Sequence, residues 1–402
     1  MSSHVLKNST SAHRVQSWGA VLTLAFATFL VVTTEMLPVG LLTPIAEQFS
    51  ISISLSGLLM TLPAMIAAVS SPLIVLFTHK IDRKKLLIFA AILLIVCNSL
   101  AAFTPYFELL LISRIFVGVC IGITWAIAGG IAPRLVASQH ISLATSFIFG
   151  GVATASVIGI PLGIFIGDWL NWRSAFILIA GLSLILLLLM KVFLPSLTSD
   201  SKNLSVKAFS TQIKRPVILV GLAITLLLVS GHFMAFTYIR PLLISHLNAS
   251  GEQLSLILFF YGIAGIFGNF IFGLSAGKKL NFSLIFIMLL ITVCLILFVA
   301  LPLSMLSGGM IIIVWGAAYG GVSVTLMTWM IAHSNRYIEI TSALYIAFFN
   351  GGIALGSALG SVVVLLNSFN TNLIASALLF IAAMLILATF LSKATYNSQR
   401  CH

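Results

Sequence analysis

Three ionisable side chains lie inside long apolar runs of the sequence. Glu35 lies in VVTTEMLPVGLL, Arg114 in LLLISRIFVG and His232 in SGHFMAF. A charged side chain at the centre of a bilayer costs about 2.5–3.5 kcal/mol even on lenient insertion scales, so such residues are rare there and commonly functional. These three residues are therefore the first candidates for chemistry in this chain.

Glu35 is the strongest of these candidates. Burial disfavours the ionised form of a carboxyl group, so Glu35 could bind a proton in one state and release it in another. Pro38 has no N–H and leaves the carbonyl of Thr34 without its helical donor, which could bend the helix and open Glu35 to a cavity. The alternatives are a hydrated glutamate near the outer edge of the membrane and a simple packing kink.

Arg114 and His232 each allow a functional and a structural interpretation. Arg114 must face a carboxylate, backbone carbonyls or a wet cavity, and Gly118, Gly122 and Trp125 follow it on the same helical stripe. It is a candidate partner in proton exchange or a gate, and the alternative is a fixed structural ion pair. His232, with an ordinary pKa near 6.5, suits proton transfer, and the alternative is a hydrogen-bonded core residue.

Five further aromatic and amide residues within apolar runs are candidates for a substrate cavity. Aromatic walls with a few polar groups are typical of small-molecule sites, and the alternative for each residue is packing and hydrogen bonding between helices. The five residues are Trp125, Asn269, Trp315, Tyr319 and Asn350.

The composition shows which elements must position these residues. Of the 402 residues, 60% are hydrophobic and 7% are charged, whereas a soluble domain has about 25% charged residues. Continuous apolar runs of about 20 residues predict membrane-spanning helices rather than barrel strands. Twelve runs occur, at 18–42, 55–77, 86–103, 108–131, 141–166, 173–194, 216–240, 252–276, 281–301, 305–331, 340–366 and 372–392.

The distribution of Lys and Arg predicts the orientation of the chain. Most of the 20 basic residues lie in the termini and in alternate loops, which the positive-inside rule places in the cytoplasm. The net charge of +12 is spread over short clusters and does not indicate nucleic-acid binding. We therefore predict the following organisation: a cytoplasmic segment at 1–17, a six-helix bundle at 18–194, a cytoplasmic central loop at 195–215, a second six-helix bundle at 216–392 and a cytoplasmic tail at 393–402.

The two halves resemble each other in sequence. FGGVATASVIG from Phe149 and NGGIALGSALG from Asn350 share two adjacent glycines, an alanine, a serine and a glycine in the same order. Recurring small residues are also common wherever membrane helices pack. The matching order favours a duplication, and paired six-helix halves with a site between them near the membrane midplane are typical of alternating-access transporters.

Four motifs carry a resemblance to a known family. TTEMLPVGLL, LLLISRIFVG, GIPLGIFIGDWLNWRSAF and SPLIVLFTHKIDRKKLL resemble motifs of the major facilitator superfamily. The chain looks most like the twelve-span drug:proton antiporter branch, in its group of sugar-efflux and arabinose-efflux-like permeases. This resemblance implies an all-α membrane protein with the major facilitator fold, in which 12 transmembrane helices form two pseudo-symmetric six-helix bundles.

The resemblance also implies motif residues with a gating role. In the loop after the second run, His79 and Asp82 stand where the family usually has an aspartate and a glycine. Ile160 separates the glycine and the proline of the fifth-run motif. The gating residues implied in this way are His79, Lys80, Asp82, Arg83, Lys84, Gly159, Pro161, Gly163, Trp172 and Arg173.

These observations predict a secondary transporter that exports a small organic solute, such as a drug, a sugar or a nucleoside-like compound, in exchange for protons. Glu35, Arg114 and His232 are the predicted proton-coupling residues. A proton-independent facilitator or uptake carrier is the first alternative, and a non-transporting membrane receptor is the second. With no nucleotide-binding loop, no zinc-ligand spacing and few acidic residues in the sequence, we expect neither an enzyme nor a metal site.

The expected energy source is the proton gradient, with no cofactor. The expected partners are the solute, protons and the lipid bilayer, with no nucleic acid, and the chain is expected to act as a monomer. We expect it to lie in a bacterial cytoplasmic (inner) membrane, with several spans and both termini in the cytoplasm.

Overall fold

The computed structural model describes residues 17–78, 81–128, 131–137, 140–196, 206–334 and 338–400, and no strand occurs in these ranges. Twelve helices in them are long and apolar enough to cross a membrane, which confirms the predicted number. In chain order, spans one to twelve are Trp18–Phe49, Ile53–Ile74, Arg83–Phe103, Phe107–Ala128, Leu143–Trp169, Trp172–Phe193, Pro216–Phe236, Gly251–Ala276, Lys279–Ala300, Met305–Ala332, Ile340–Leu366 and Phe369–Ser392.

Consecutive spans run in opposite directions, so the connections gather at two ends. We call the end that contains Trp18 the proximal end and the end that contains Phe49 the distal end. Spans one to six are the first half, and spans seven to twelve are the second half.

Several helices are shorter or longer than the spans they form. Span two consists of Ile53–Ser56 and Leu58–Phe77, span five of Ile141–Thr154, Ala155–Gly159 and Ile160–Trp169, and span ten of Met305–Gly320 and Val322–Ala332. Spans eleven and twelve lie in Ile338–Leu366 and Phe369–Arg400, and the run Gly251–Ala300 is broken at Lys279, where φ is −140°. The helices outside the spans are Ala132–Leu135, Val206–Ile213 and Ile239–Leu247. Of these, Val206–Ile213 lies in the segment predicted as the central loop.

Span one is longer than the sequence predicted. The apolar run ends at residue 42, yet the helix continues to Phe49 although it contains Pro38 and Pro44. Each proline removes the hydrogen bond to the carbonyl four residues earlier, here that of Thr34 or Gly40. The helix therefore needs other donors at these two carbonyls.

Span five contains a π-helical segment, Ala155–Gly159, just before Pro161. Such π segments are rare and occur often at functional sites. Gly159, the last residue of this segment, and Gly163 lie against Thr33 and Leu37 of span one, where an added Cβ atom would crowd these side chains. Glycine at these positions brings spans one and five into close contact beside Glu35.

Two clusters of buried apolar side chains form the core. One consists of residues of the first half together with Tyr238. The other consists mainly of residues of the second half, and the first half contributes Val39, Met60, Ala64, Ile160 and Ile164 to it. Parts of spans one, two and five are therefore buried against the second half.

Spans eight and ten approach each other through glycines. A Cβ atom on Gly268 would overlap with the carbonyl oxygen of Ala317, and one on Gly320 would overlap with the carbonyl of Gly265. Because small residues let helix backbones approach closely, span eight can bring Tyr261 next to span ten.

We predict that Gly268→Val destabilises the folded protein by about 1–3 kcal/mol, the usual cost of overpacking a close helix contact. The same substitution at Gly181, where no atom lies within 4 Å of the added Cβ, controls for the change in helix propensity. Unfolding midpoints measured in detergent test this, and equal midpoints for the two variants would contradict the close contact.

Candidate functional site

Glu35 lies at the boundary between the two halves and is almost fully buried, with 4% of its surface exposed. Val39, one helical turn further on the same face of span one, belongs to the core cluster of the second half, and Met36 packs against that cluster. The Oε1 atom of Glu35 is buried without a hydrogen-bond partner in the described part of the chain. A carboxyl group in this setting is poised to bind a proton or a ligand.

An aromatic cluster of the second half holds His232. The indole Nε1–H of Trp315 donates to Nδ1 of His232 at 3.2 Å. The imidazole ring stacks on Tyr319 with ring centroids 3.3 Å apart, and on Phe236 at 4.9 Å. Because Nδ1 accepts this hydrogen bond, His232 is in the neutral tautomer that carries its proton on Nε2.

Two phenol groups of the second half are buried without partners. The hydroxyl groups of Tyr261 and Tyr319 have no hydrogen-bond partner among the described residues. Tyr319 lies within electrostatic range of Glu35, Tyr261 and Tyr345. Tyr261 was not among the predicted site residues, although a tyrosine inside the apolar run LILFFYGIAG is a signal that could have identified it.

The structure therefore brings together four of the predicted site residues, Glu35, His232, Trp315 and Tyr319, and adds Tyr261. A carboxyl oxygen and two hydroxyl groups without partners, surrounded by aromatic rings, can exchange a proton or bind polar groups of a small molecule. Glu35 comes from the first half and the other four residues come from the second half.

Arg114 of span four contacts the backbone of span one. Its Nη1 atom donates to the carbonyl of Thr34 at 3.1 Å, which is the carbonyl that Pro38 leaves free. The guanidinium carbon lies 5.1 Å from the ring centroid of Phe176, and Nε and Nη2 have no hydrogen-bond partner in the part of the chain that the structure describes. Within the described residues, neither Arg114 nor Glu35 forms an ion pair, so Arg114 acts here as a donor to the broken helix.

Arg240, which belongs to the second half, supplies the hydrogen-bond donor that the second proline of span one, Pro44, removes. Its Nη1 atom donates to the carbonyl of Gly40, which Pro44 leaves free, at 2.7 Å. Its Nη2 atom forms an ion pair with Asp168 of span five at 2.8 Å. We call these three groups, Arg240, Asp168 and the Gly40 carbonyl, the distal clamp.

Further polar contacts join the halves at the distal end. The Ser361 hydroxyl donates to the carbonyl of Ser54 at 2.7 Å, and the Ser255 hydroxyl donates to the carbonyl of Pro161 at 3.1 Å. Gly57 of span two leaves the space that the Tyr238 hydroxyl occupies. Together with the clamp, these contacts hold the two halves against each other at this end.

Three predicted candidates for the substrate cavity remain. Trp125 contacts Phe149 of span five, with ring centroids 6.0 Å apart. The Asn350 amide donates to the carbonyl of Ile346 in its own helix at 2.9 Å. Asn269 is exposed rather than buried.

The motif residues after span two contact other proximal segments. His79 and Lys80 lie outside the described residues. Asp82 accepts a hydrogen bond from the backbone N–H of Lys84 at 2.8 Å and so caps the helix of span three. The Arg83 side chain donates to the carbonyl and hydroxyl of Thr78, and Nζ of Lys84 donates to the carbonyl of Lys191 at 3.2 Å.

The motif residues around span five contribute to helix packing. Pro161 provides the carbonyl that Ser255 of the second half contacts, as described above. At the distal end, the Trp172 indole donates to Gln48 at 2.7 Å, and Arg173 donates to the Thr104 carbonyl at 2.9 Å. These bonds tie span six to spans one and three.

A pocket of about 610 Å³ lies between spans one and five in the half of the molecule near the proximal end. None of the predicted cavity residues lines it. Its walls are formed by Ala25, Phe26, Phe29, Leu143, Phe147, Gly150, Gly151 and Thr154.

Residues 24–338 match the family model described as the Major Facilitator Superfamily. This match covers most of the 402-residue chain. With the twelve apolar helices, it confirms the predicted fold, an all-α membrane protein of two pseudo-symmetric six-helix bundles.

We predict that Pro38 and Arg114 are energetically coupled. Arg114→Met removes the donor to the Thr34 carbonyl, whereas Pro38→Ala restores a backbone N–H that can serve the same carbonyl. The free-energy cost of Arg114→Met should therefore be about 1 kcal/mol smaller in the Pro38→Ala background. Detergent unfolding of the four proteins of this double-mutant cycle measures the coupling, and an equal cost in both backgrounds would contradict it.

For the distal clamp, we predict that Arg240→Gln is more destabilising than Asp168→Asn, because Arg240 serves two acceptors. A coupling free energy of about 0.5–3 kcal/mol between the two substitutions is expected for groups in direct contact. Unfolding midpoints of the single and double variants test both points. Additive effects would show that the ion pair does not contribute to holding the halves together.

Proposed function

The chain belongs to the Major Facilitator Superfamily, a family of membrane transporters, and we propose that it exports a small organic solute in exchange for protons. The coarser conclusion, a multi-pass protein of membrane transport, follows from the family match and the twelve spans. Direction, proton coupling and the class of solute belong to the proposal.

The Oε1 atom of Glu35, which is buried without a hydrogen-bond partner among the described residues, is the observation that supports proton coupling best. A buried carboxylate without a cation is unfavourable, so the group must bind a proton, a ligand or a new partner as the protein changes state. Glu35 comes from the first half and lies near Tyr319 of the second half. Protonation of Glu35 therefore changes the charge at the contact surface between the two halves, along which they move in the proposed transport cycle.

The distal clamp supports alternating access. In this structure the halves are joined at the distal end by Arg240, Asp168 and the Gly40 carbonyl. On the orientation that the positive-inside rule predicts, the distal end faces outward, so this state is closed to the outside. Transport then requires the clamp to break while the halves rock about the site, as in carriers built from paired repeats.

Arg114 has a different role in this mechanism. It stays with the first half and holds the carbonyl of Thr34, so that the turn preceding Pro38 keeps its position when the halves separate. His232 positions Trp315 and Tyr319 rather than carrying the proton itself in this state. The proton gradient is the energy source, and the chain acts as a monomer in a bacterial cytoplasmic membrane with both termini inside.

We predict that Glu35→Gln removes the proton dependence of transport. A test solute is first found by growth protection of an efflux-deficient strain that overexpresses the protein. Proteoliposomes with an imposed pH gradient then measure its counterflow. Glu47→Gln is the matched control, because Glu47 lies in the same helix but is exposed.

Each result of this assay has a distinct meaning. Proton-driven counterflow that is lost in Glu35→Gln and kept in Glu47→Gln supports the proposal. Counterflow that ignores the pH gradient in the unmodified protein contradicts it and identifies a facilitator or uptake carrier. Binding of the solute without any counterflow contradicts it in favour of a receptor.

A further inference from the structure

We propose that the pocket between spans one and five binds the apolar, planar aromatic part of the transported solute. The inference rests on the proposed function for the transport step, but binding in the pocket does not require proton coupling. The residues that line this pocket lie outside the Glu35 site, and the ligand class proposed for them is an uncharged aromatic group.

The position of the pocket relates it to the boundary between the halves. Ala25, Phe29 and Met36 are spaced so that they share one face of span one. At the level of Met36, this face packs against the core cluster of the second half, whereas at the level of Ala25 and Phe29 it lines the pocket. The pocket therefore continues the contact surface of the two halves towards the proximal end, away from the distal clamp.

The floor of the pocket is a close contact between the two helices. A Cβ atom on Gly151 would overlap with the carbonyl of Ala25, and the hydroxyl of Thr28 bridges to the carbonyl of Ile148 at 2.6 Å. This contact fixes the distance between spans one and five. The two helices that line the pocket are therefore in direct contact at its floor.

The lining favours a flat, uncharged aromatic ligand. No charged side chain is among its eight residues, and the rings of Phe26 and Phe29 lie nearly parallel, at 12° with centroids 6.2 Å apart. The one hydroxyl in the lining, that of Thr154, donates to the carbonyl of Gly150 at 2.8 Å. Aromatic rings bind other rings by stacking and edge contacts, whereas a ligand with many hydroxyl groups would find few partners here.

Gly150 provides a direct way to fill the pocket. No atom lies within 4 Å of a Cβ atom added to Gly150, and the same holds for Gly181 of span six, which does not line the pocket. Gly150→Leu therefore places a side chain in the pocket without a clash at the backbone. Gly181→Leu makes the same chemical change elsewhere and serves as the control.

The test is photolabelling of the full-length protein in lipid nanodiscs with tritiated benzophenone, a neutral aromatic probe. Labelled peptides are identified by mass spectrometry, with excess unlabelled fluorenone as a planar competitor. We expect saturable, competed labelling of the peptides that cover residues 25–29 and 143–154. This labelling should be lost in Gly150→Leu and kept in Gly181→Leu and in Glu35→Gln.

Labelling of these peptides that does not saturate and is unchanged in Gly150→Leu would overturn the proposal, because it would show a face covered by lipid. Thr154→Leu fills the pocket from another position and gives the same test if Gly150→Leu does not fold. Since Glu35→Gln is expected to keep the labelling, failure of proton coupling and failure of this site are separate results.

Discussion

Two backbone carbonyls of span one determine how the rest of the molecule is arranged. Pro38 and Pro44 leave the carbonyls of Thr34 and Gly40 without helical donors, and an unsatisfied backbone group inside a membrane costs several kcal/mol. Arg114 and Arg240 supply the missing donors, at 3.1 and 2.7 Å. The helix nevertheless continues to Phe49, and the two guanidinium groups satisfy the carbonyls that its prolines leave free. Glu35 follows the first freed carbonyl directly, so this constraint also places the carboxyl group of the proposed proton site.

The two donors come from different halves, and the proposed alternating access rests on this difference. In that mechanism Arg114, which belongs to the first half, stays in place during the rocking motion, whereas Arg240, which belongs to the second half, leaves the Gly40 carbonyl and Asp168 when the distal end opens. Glu35 lies in span one between the two freed carbonyls and near Tyr319 of the second half. In the proposed mechanism, a change in its protonation acts on the contact between the halves, which is the two-state element that a proton or a solute can bias.

The sequence predicted what depends on composition and local chemistry. The twelve spans follow from continuous apolar runs, the burial of Glu35 from its run, and the free carbonyl of Thr34 from the position of Pro38. For Arg114, a backbone carbonyl was among the partners that the sequence allowed. Contacts between distant helices were not predictable in this way. Arg240 and Asp168 lie 72 residues apart in sequence, and no local pattern indicates that the helix Ile239–Leu247 contacts span five. The pocket was missed for the same reason, since glycines and phenylalanines are common in every apolar run.

The most direct test of the account is a distance measurement between the halves at the distal end. Leu170 and Leu306 are 75% and 71% exposed and can carry spin labels after replacement by cysteine, in a Cys401→Ser background that keeps the three buried cysteines. Pulsed electron spin resonance in nanodiscs then gives the distribution of distances at acidic and alkaline pH. The account predicts a distribution that shifts with pH in the otherwise unmodified protein and does not shift in Glu35→Gln. A shift of the same size in Glu35→Gln would show that another group controls the halves, and would contradict the central role of this carboxyl group.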